Sequence, residues 1–343
     1  MIGTRLRATG RAARRLLDAI DRFQEGHAWL AFPVAVVRKF GGDQGGSLAA
    51  LIAYYGFLSM MPLLLAFAAI LGFVLDGHPS LQSQVLDAVN RDLPGLSGLL
   101  TGAVSGSQVA LGVGLAGALW AGLGVTLATE RAMNAVWDIP YAERPRPWWS
   151  RLRGLLMLVI LGFAFLVSAA LASLQGVTGG LAIPAAVLGI AGSLALNTVL
   201  YLLAFQVLTN QRLTWRTLLP GALVGAVGWT VLQSLGVLYV QHEVVHASRL
   251  YSSLAGVIGL MAWLYLGARL TLYAAEVNVV LADHLWPRSL TGGMRTDADR
   301  RAFIRQVRET RRTADEVISV DFTRRDPPVE RRPGGGSPTP KRG

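Results

Sequence analysis

The sequence predicts an all-α membrane protein, a six-transmembrane-helix bundle preceded by an N-terminal amphipathic helix, with both termini in the cytoplasm. Three observations predict it. Of 343 residues, 52% are hydrophobic and only 15% are Asp, Glu, Lys or Arg, a balance that a soluble fold of this size does not carry. Apolar runs recur at about the 20-residue length needed to cross a hydrocarbon core. The formal charge of +11, from 32 basic and 21 acidic residues, gathers near the two ends of the chain and points to a membrane surface more than to nucleic acid.

Residues 1–40 are expected to form a basic cytoplasmic arm. Arg5, Arg7, Arg11, Arg14, Arg15 and Arg22 interleave with Leu6, Leu16, Leu17, Ile20 and Phe23, which suits an interfacial amphipathic helix; a disordered basic arm is the alternative. No cleaved leader is expected, because the apolar run that begins near Ser47 far exceeds the roughly 7–15 residues of a signal-peptide core. The membrane domain, 41–286, is read as spans at 48–75, 109–129, 153–176, 183–208, 218–241 and 254–283. Gly179 and Gly180 make a tight turn between the third and fourth, and Pro184 opens the fourth. Between the first two spans, Leu81, Val85, Leu86 and Val89 recur at helical spacing, so residues 81–100 are expected on the outer membrane surface. Tyr141, Trp148, Trp149, Trp215 and Trp286 fall near span ends, where amphipathic rings favour the water boundary. Residues 287–343 read as a basic, largely disordered cytoplasmic tail. Within it, 296–319 suit one charged helix and 324–343 are rich in Pro, Gly and Arg.

Orientation follows from the loop cations. Eight Lys and Arg precede the first span. Arg144, Arg146, Arg151 and Arg153 lie about the second connection, and Arg212 and Arg216 about the fourth. The opposite side offers Arg91 and Arg249 alone. Both termini are therefore placed inside. The chain has no cysteine, which removes disulfides and thiolate chemistry from consideration.

The stretch Gly45-Gly46-Ser47-Leu48-Ala49-Ala50-Leu51-Ile52-Ala53-Tyr54-Tyr55-Gly56-Phe57-Leu58-Ser59-Met60-Met61-Pro62-Leu63 resembles the first span of the YihY/BrkB family of bacterial inner-membrane proteins. Ala132-Met133-Asn134-Ala135-Val136-Trp137 and Ala274-Ala275-Glu276 add to the resemblance, which runs in order over 38–286. It implies a six-span helical fold in the bacterial cytoplasmic membrane, and an association with serum resistance and with lipid or glycolipid handling in the envelope. The family has also carried a ribonuclease label. No catalytic residues carry over from it, and Arg269 departs from the small or apolar residue usual at its position.

Ionisable groups inside a membrane usually face the bundle interior or a wet cavity. Arg269, Tyr273 and Glu276 share one face of the sixth span through spacings of four and three. Glu130 and Asn134 close the second span at a similar level. Tyr54, Tyr55 and Ser59 on the first span, and Asn197, Tyr201 and Gln206 on the fourth, fall in the middle or inner half. These residues are read as the lining of a polar cavity open to the cytoplasm or inner leaflet, with Arg269 placed to meet an anionic head group or to pair with Glu276 or Glu130. The bland reading is that they bond helix to helix or snorkel to the interface. Pro62 marks a kink in the first span, serving gating or packing. Gly114, Ala118 and Gly122, with Gly221 and Gly225, give small residues at four-residue spacing for close helix packing, or for a homo-oligomer interface.

His242-Glu243-Val244-Val245-His246 matches the H-E-x-x-H pattern of zinc metalloproteases. A working site needs a third protein ligand, and Glu276 lies on the next helix about 33 Å away in depth at 1.5 Å per residue. Asp76, His78, Asp87 and Asp92 share the outer side. No metal is assigned, His242 and His246 being its only candidates, and no cofactor is expected. A Walker loop is absent, so no intrinsic ATPase is expected. Gly112-Val113-Gly114 sits inside an apolar run and not at a strand-to-helix turn. No loop supplies the acid-base or metal cluster that RNA cleavage requires, so the chain is not expected to be an enzyme. Two readings remain, handling or transport of an amphiphilic envelope component and a non-transporting scaffold or remodelling protein. The expected partners are membrane lipids, especially anionic inner-leaflet lipids, and no nucleic acid.

Overall fold

The computed structural model of the chain describes residues 27–74, 108–175, 182–243, 252–289 and 296–322. Among these the regular structure is all helical. A 15-residue helix, α1 (Ala28–Gly42), leads into six long ones: α2 (Gly45–Val74), α3 (Gln108–Val136), α4 (Pro147–Gln175), α5 (Ala182–Leu208), α6 (Trp215–Glu243) and α7 (Ser252–Ala282). A short charged helix, α8 (Asp297–Glu309), follows. The six long helices lie close to the expected spans, but α3 runs seven residues further than expected and α4 starts six residues earlier. Hydropathy stops at the first charge, whereas Glu130 and Arg153 continue the helices because their polar ends are met by Ser150 and Asn210.

Gly112–Val136, Ala191–Leu208, Trp215–Gly236 and Val257–Ala282 are long and apolar enough to cross a membrane, with a shorter apolar stretch at Gly45–Met60. Consecutive long helices pack side by side, and α7 returns to pack on α2, closing the ring; α7 also touches α1 and α3. The distribution of side-chain size is that of a bundle in lipid. Inside stand Ala49, Ala53, Ala128, Ala132, Ala222, Ala226, Ala274 and Ala275, while Trp120 is 85% and Phe163 68% exposed. Small residues inside let helix backbones approach where lipid gives no hydrophobic drive between helices. Gly122 accordingly meets Leu158 of α4, Gly225 meets Tyr201 of α5, and Gly221 meets α7. At these three positions the small residue serves packing within the chain.

The larger buried side chains, Phe40, Met133, Val136, Trp137, Phe205, Leu218, Leu272 and Leu285, gather at one end of the ring. There α1, the last turns of α3, α5 and α7, and the start of α6 converge. Phe32 of α1 meets Trp286 edge to face at 5.7 Å, so Trp286 lies under α1, whereas Trp148 and Trp215 are exposed. Two residues separate α1 from α2. Gln44 takes a left-handed conformation (φ 54), and α2 opens on Gly45, where a Cβ would overlap the Phe40 ring. Of the charged helix expected over 296–319, only Asp297–Glu309 is helical, as α8, and residues 310–319 continue without regular structure. Thr296 caps it, accepting from Asp299 N at 3.1 Å, and Asp299 accepts in turn from Thr296 N, the reciprocal pattern of a capping box. The N-terminal amphipathic pattern, the segment 81–100, the turn at Gly179 and Gly180 and the tail 324–343 lie outside the described residues.

Candidate functional site

The polar inventory of this end divides into three groups. The first is assembled from four places in the sequence. The Lys39 side chain, 3% exposed, forms an ion pair with Asp43 one turn later and reaches Asp138 Oδ2 at 3.1 Å and Glu276 Oε2 at 4.0 Å. It also donates to the carbonyl of Val136 at 2.9 Å. Arg305 of α8 donates to Asp138 Oδ2 at 3.2 Å and to the carbonyl of Trp137 at 3.0 Å, and pairs with Asp283. The local cause is the end of α3. Asp138 is left-handed (φ 50) and Ile139 N bonds back to Asn134 O at 2.8 Å, which stops the helix and leaves its last carbonyls open. Two cations answer them, as the negative end of a helix dipole favours. The end of α7 repeats the device with His284 (φ 51) and Leu285 N on Val280 O.

Burial works against the charge on Lys39, but Glu276, Asp43 and Asp138 outweigh it and hold the ammonium above its ordinary value. Burial raises the Asp43 carboxyl, with the attraction of Lys39 opposing. A raised folded value means that the unfolded chain releases this proton first as pH climbs. The contribution of Asp43 to stability is therefore full below 3.8 and is lost as pH rises through its folded value. Asp43→Asn is expected to flatten that slope, so that its thermal midpoint at neutral pH equals or exceeds that of the unmodified chain. A lower midpoint at neutral pH would contradict the assignment.

The second group joins α3, α4 and the α5–α6 connection. Glu130 Oε1 accepts from Ser150 Oγ at 2.9 Å and Asn210 Nδ2 at 3.0 Å, and Asn134 Oδ1 accepts from Asn210 N and Nδ2. Arg153 donates to Asn210 Oδ1. Glu130 and Asn134 thus tie helix ends together.

The third group is Arg269. It pairs with neither Glu276 nor Glu130, because Glu276 is served by Lys39 from α1 and Glu130 by Ser150 and Asn210. Its guanidinium instead lies 5.6 Å from the ring centres of Phe40 and Tyr265 and 5.8 Å from that of Tyr273. Arg269 Nη2 is 3.4 Å from Tyr273 Oη, and the Tyr273 ring stacks on Phe40 at 4.0 Å. The cation is held by aromatic faces, and Arg269 has no carboxylate partner among the described residues.

The other expected residues are elsewhere. Tyr201 meets Thr271 Oγ1 at 3.3 Å, joining α5 to α7. Ser59 donates to Gly56 O of its own helix at 2.7 Å. Tyr54 is half exposed and packs edge on to Tyr55, whose ring lies over Gly124 of α3. Asn197 is half-buried on α5, and Pro62 sits inside α2 against Gly117. The sequence reading therefore named Glu276 but missed Lys39, Asp43, Asp138 and Arg305. The spacing of Lys39 and Asp43, four apart just before an apolar run, is the one signal that could have found those two; Asp138 and Arg305 carry no such signal. The His242 side chain and all of His246 lie outside the described residues, among which no group of His, Cys, Asp or Glu is placed to hold a metal ion.

The family model described as "Virulence factor BrkB" matches residues 36–298, a stretch that contains all three groups except Arg305. The inner membrane protein YhjD of Escherichia coli is 28% identical over 72% of this chain and 79% of its own length. YfkH of Bacillus subtilis, whose name describes it as ribonuclease-like, is 25% identical over 74% of this chain and 95% of its own. A UPF0761 membrane protein of Alkalilimnicola ehrlichii is 27% identical over 85% and 68%. No solved structure matches the chain significantly.

Proposed function

This chain belongs to the virulence factor BrkB family of membrane proteins, and from that premise we propose that it handles or transports an amphiphilic envelope component, a lipid or glycolipid, without a nucleotide-driven motor. In this reading it crosses the cytoplasmic membrane six times, once with each of α2 to α7, and keeps both termini inside. The distribution of loop cations supports the orientation, which puts α1, α8 and the ion-pair cluster at the cytoplasmic end.

Arg269 carries the reading. A cation within a span costs about 3 kcal/mol on insertion scales and several times more on an isolated helix. Arg269 lies inside the apolar stretch Val257–Ala282, with three aromatic rings and the Tyr273 hydroxyl around it and no carboxylate among the described residues. An anionic head group from the inner leaflet supplies the missing partner, and the rings keep the guanidinium aimed at it.

The test is the lipid retained by the full chain after purification, identified by mass spectrometry, together with lipid scrambling in proteoliposomes. The unmodified chain is expected to keep an anionic lipid that Arg269→Gln releases at least tenfold more readily, with the thermal midpoint preserved. Equal retention by both forms would end the reading. Retention without flux would favour the scaffold.

A further inference from the structure

The Lys39 cluster has more acid than base among side chains that are almost wholly buried. Around its one ammonium stand the carboxyls of Asp43, Asp138 and Glu276, whose side chains are 5%, 2% and 0% exposed. The neighbouring elements redress this excess only in part. Arg305 of α8 answers Asp138 and also Asp283, whose side chain is 28% exposed and keeps water for its charge, and Glu309 of α8 is matched by Arg144 of the α3–α4 connection at 2.7 Å. One uncompensated negative charge remains among the buried carboxyls, and it is untenable, since removing an ion from water costs several kcal/mol.

The hydrogen bonds locate the place where the excess is discharged. Asp138 already accepts from Lys39 and Arg305 through Oδ2. Neither oxygen of Glu276 has a hydrogen-bond partner although the residue is fully buried, and its carboxyl shares the Lys39 ammonium with that of Asp43. Two acceptors that face each other without a donor are repulsive; one hydrogen between them converts the contact into a short, charge-assisted bond.

We infer that Asp43 and Glu276 hold one shared proton, which makes this cluster a proton-binding site where α1, α2, α3 and α7 meet. Lys39 neutralises the charge that remains on the pair, and Asp138 and Arg305 fix Lys39 in place. The site joins the turn between α1 and α2 to the inner end of α7, so loss of the proton drives these two elements apart. The site stands whether or not an amphiphile is handled; only its use as the coupling ion of transport rests on that reading.

Infrared spectroscopy of the full chain in phosphatidylcholine nanodiscs tests it. At neutral pH the unmodified chain is expected to show the carbonyl band of one protonated carboxyl, shifted in deuterated water. Asp43→Asn and Glu276→Gln should each remove the band, whereas Glu130→Gln, whose carboxylate already accepts two hydrogen bonds, should leave it. Absence of the band from the unmodified chain overturns the proposal even if a variant fails to fold. Persistence of the band unchanged in either Asp43→Asn or Glu276→Gln overturns it as well. So does a band that emerges only when sodium is withdrawn, which would assign the site to a monovalent metal cation.

Discussion

Lys39→Met is expected to destabilise the protein by about 3–5 kcal/mol, the range found when one partner of a buried ion pair is deleted, and to be the most damaging single change at this end of the bundle. Methionine keeps the length and apolar stem of lysine, so packing against Phe40 and Val136 changes little. What is lost is the ammonium that Asp43, Asp138 and Glu276 face and the donor to the last carbonyl of α3. The thermal midpoint in detergent, with the yield of folded protein, measures the effect. Adding Glu276→Gln to Lys39→Met should recover part of the loss, because it removes one of the stranded carboxyls, and the coupling of the two changes isolates the electrostatic share. A single variant that melts with the unmodified chain would show the ion pairs to be dispensable.

Gly221→Val is expected to cost about 2–4 kcal/mol, combining overpacking with a broken buried hydrogen bond. A Cβ at this position of α6 would overlap the carbonyl oxygen of Ala274 and the side chain of Asn278 on α7. Backbone atoms cannot swing away as a side chain can. Any separation of the helices also breaks the bond from Gly221 N to Asn278 Oδ1, 2.6 Å long and fully buried. Gly162→Ala on α4 is the control, since nothing lies within 4 Å of its added Cβ; it should change the midpoint little. Equal effects of the two substitutions would show that the contact between α6 and α7 is loose.

The helices were legible because crossing a bilayer demands a long apolar run whatever the neighbours are, and the family resemblance rested on one such run, 45–63, with two short stretches at 132–137 and 274–276. Site residues were legible where the signal stays within one helix. Arg269 and Tyr273, four apart, do meet, and Glu130 and Asn134 do act at one level. Pairing between helices was not legible. Arg269 was expected to find Glu276 on its own face, but two turns of helix separate them, and Glu276 takes its cation from α1. Lys39 meets the end of α3 across 97 positions, and Arg305 meets it across 168. Arg305 sits in a polar stretch where charge is ordinary, and Lys39 closes a largely apolar helix beside Arg38, so composition does not say which cation is buried.

The convergence of Lys39 and Arg305 on Asp138 also has a meaning in time. Lys39, Asp43, Asp138 and Glu276 leave the ribosome in that order, and Arg305 follows after the last long helix has been made. Until it arrives, Asp138 lacks its second cation and the carbonyl of Trp137 lacks its donor. A chain that stops before α8 carries every long helix described above yet lacks the clasp that Arg305 and Gln306 form with the end of α3 and the end of α1.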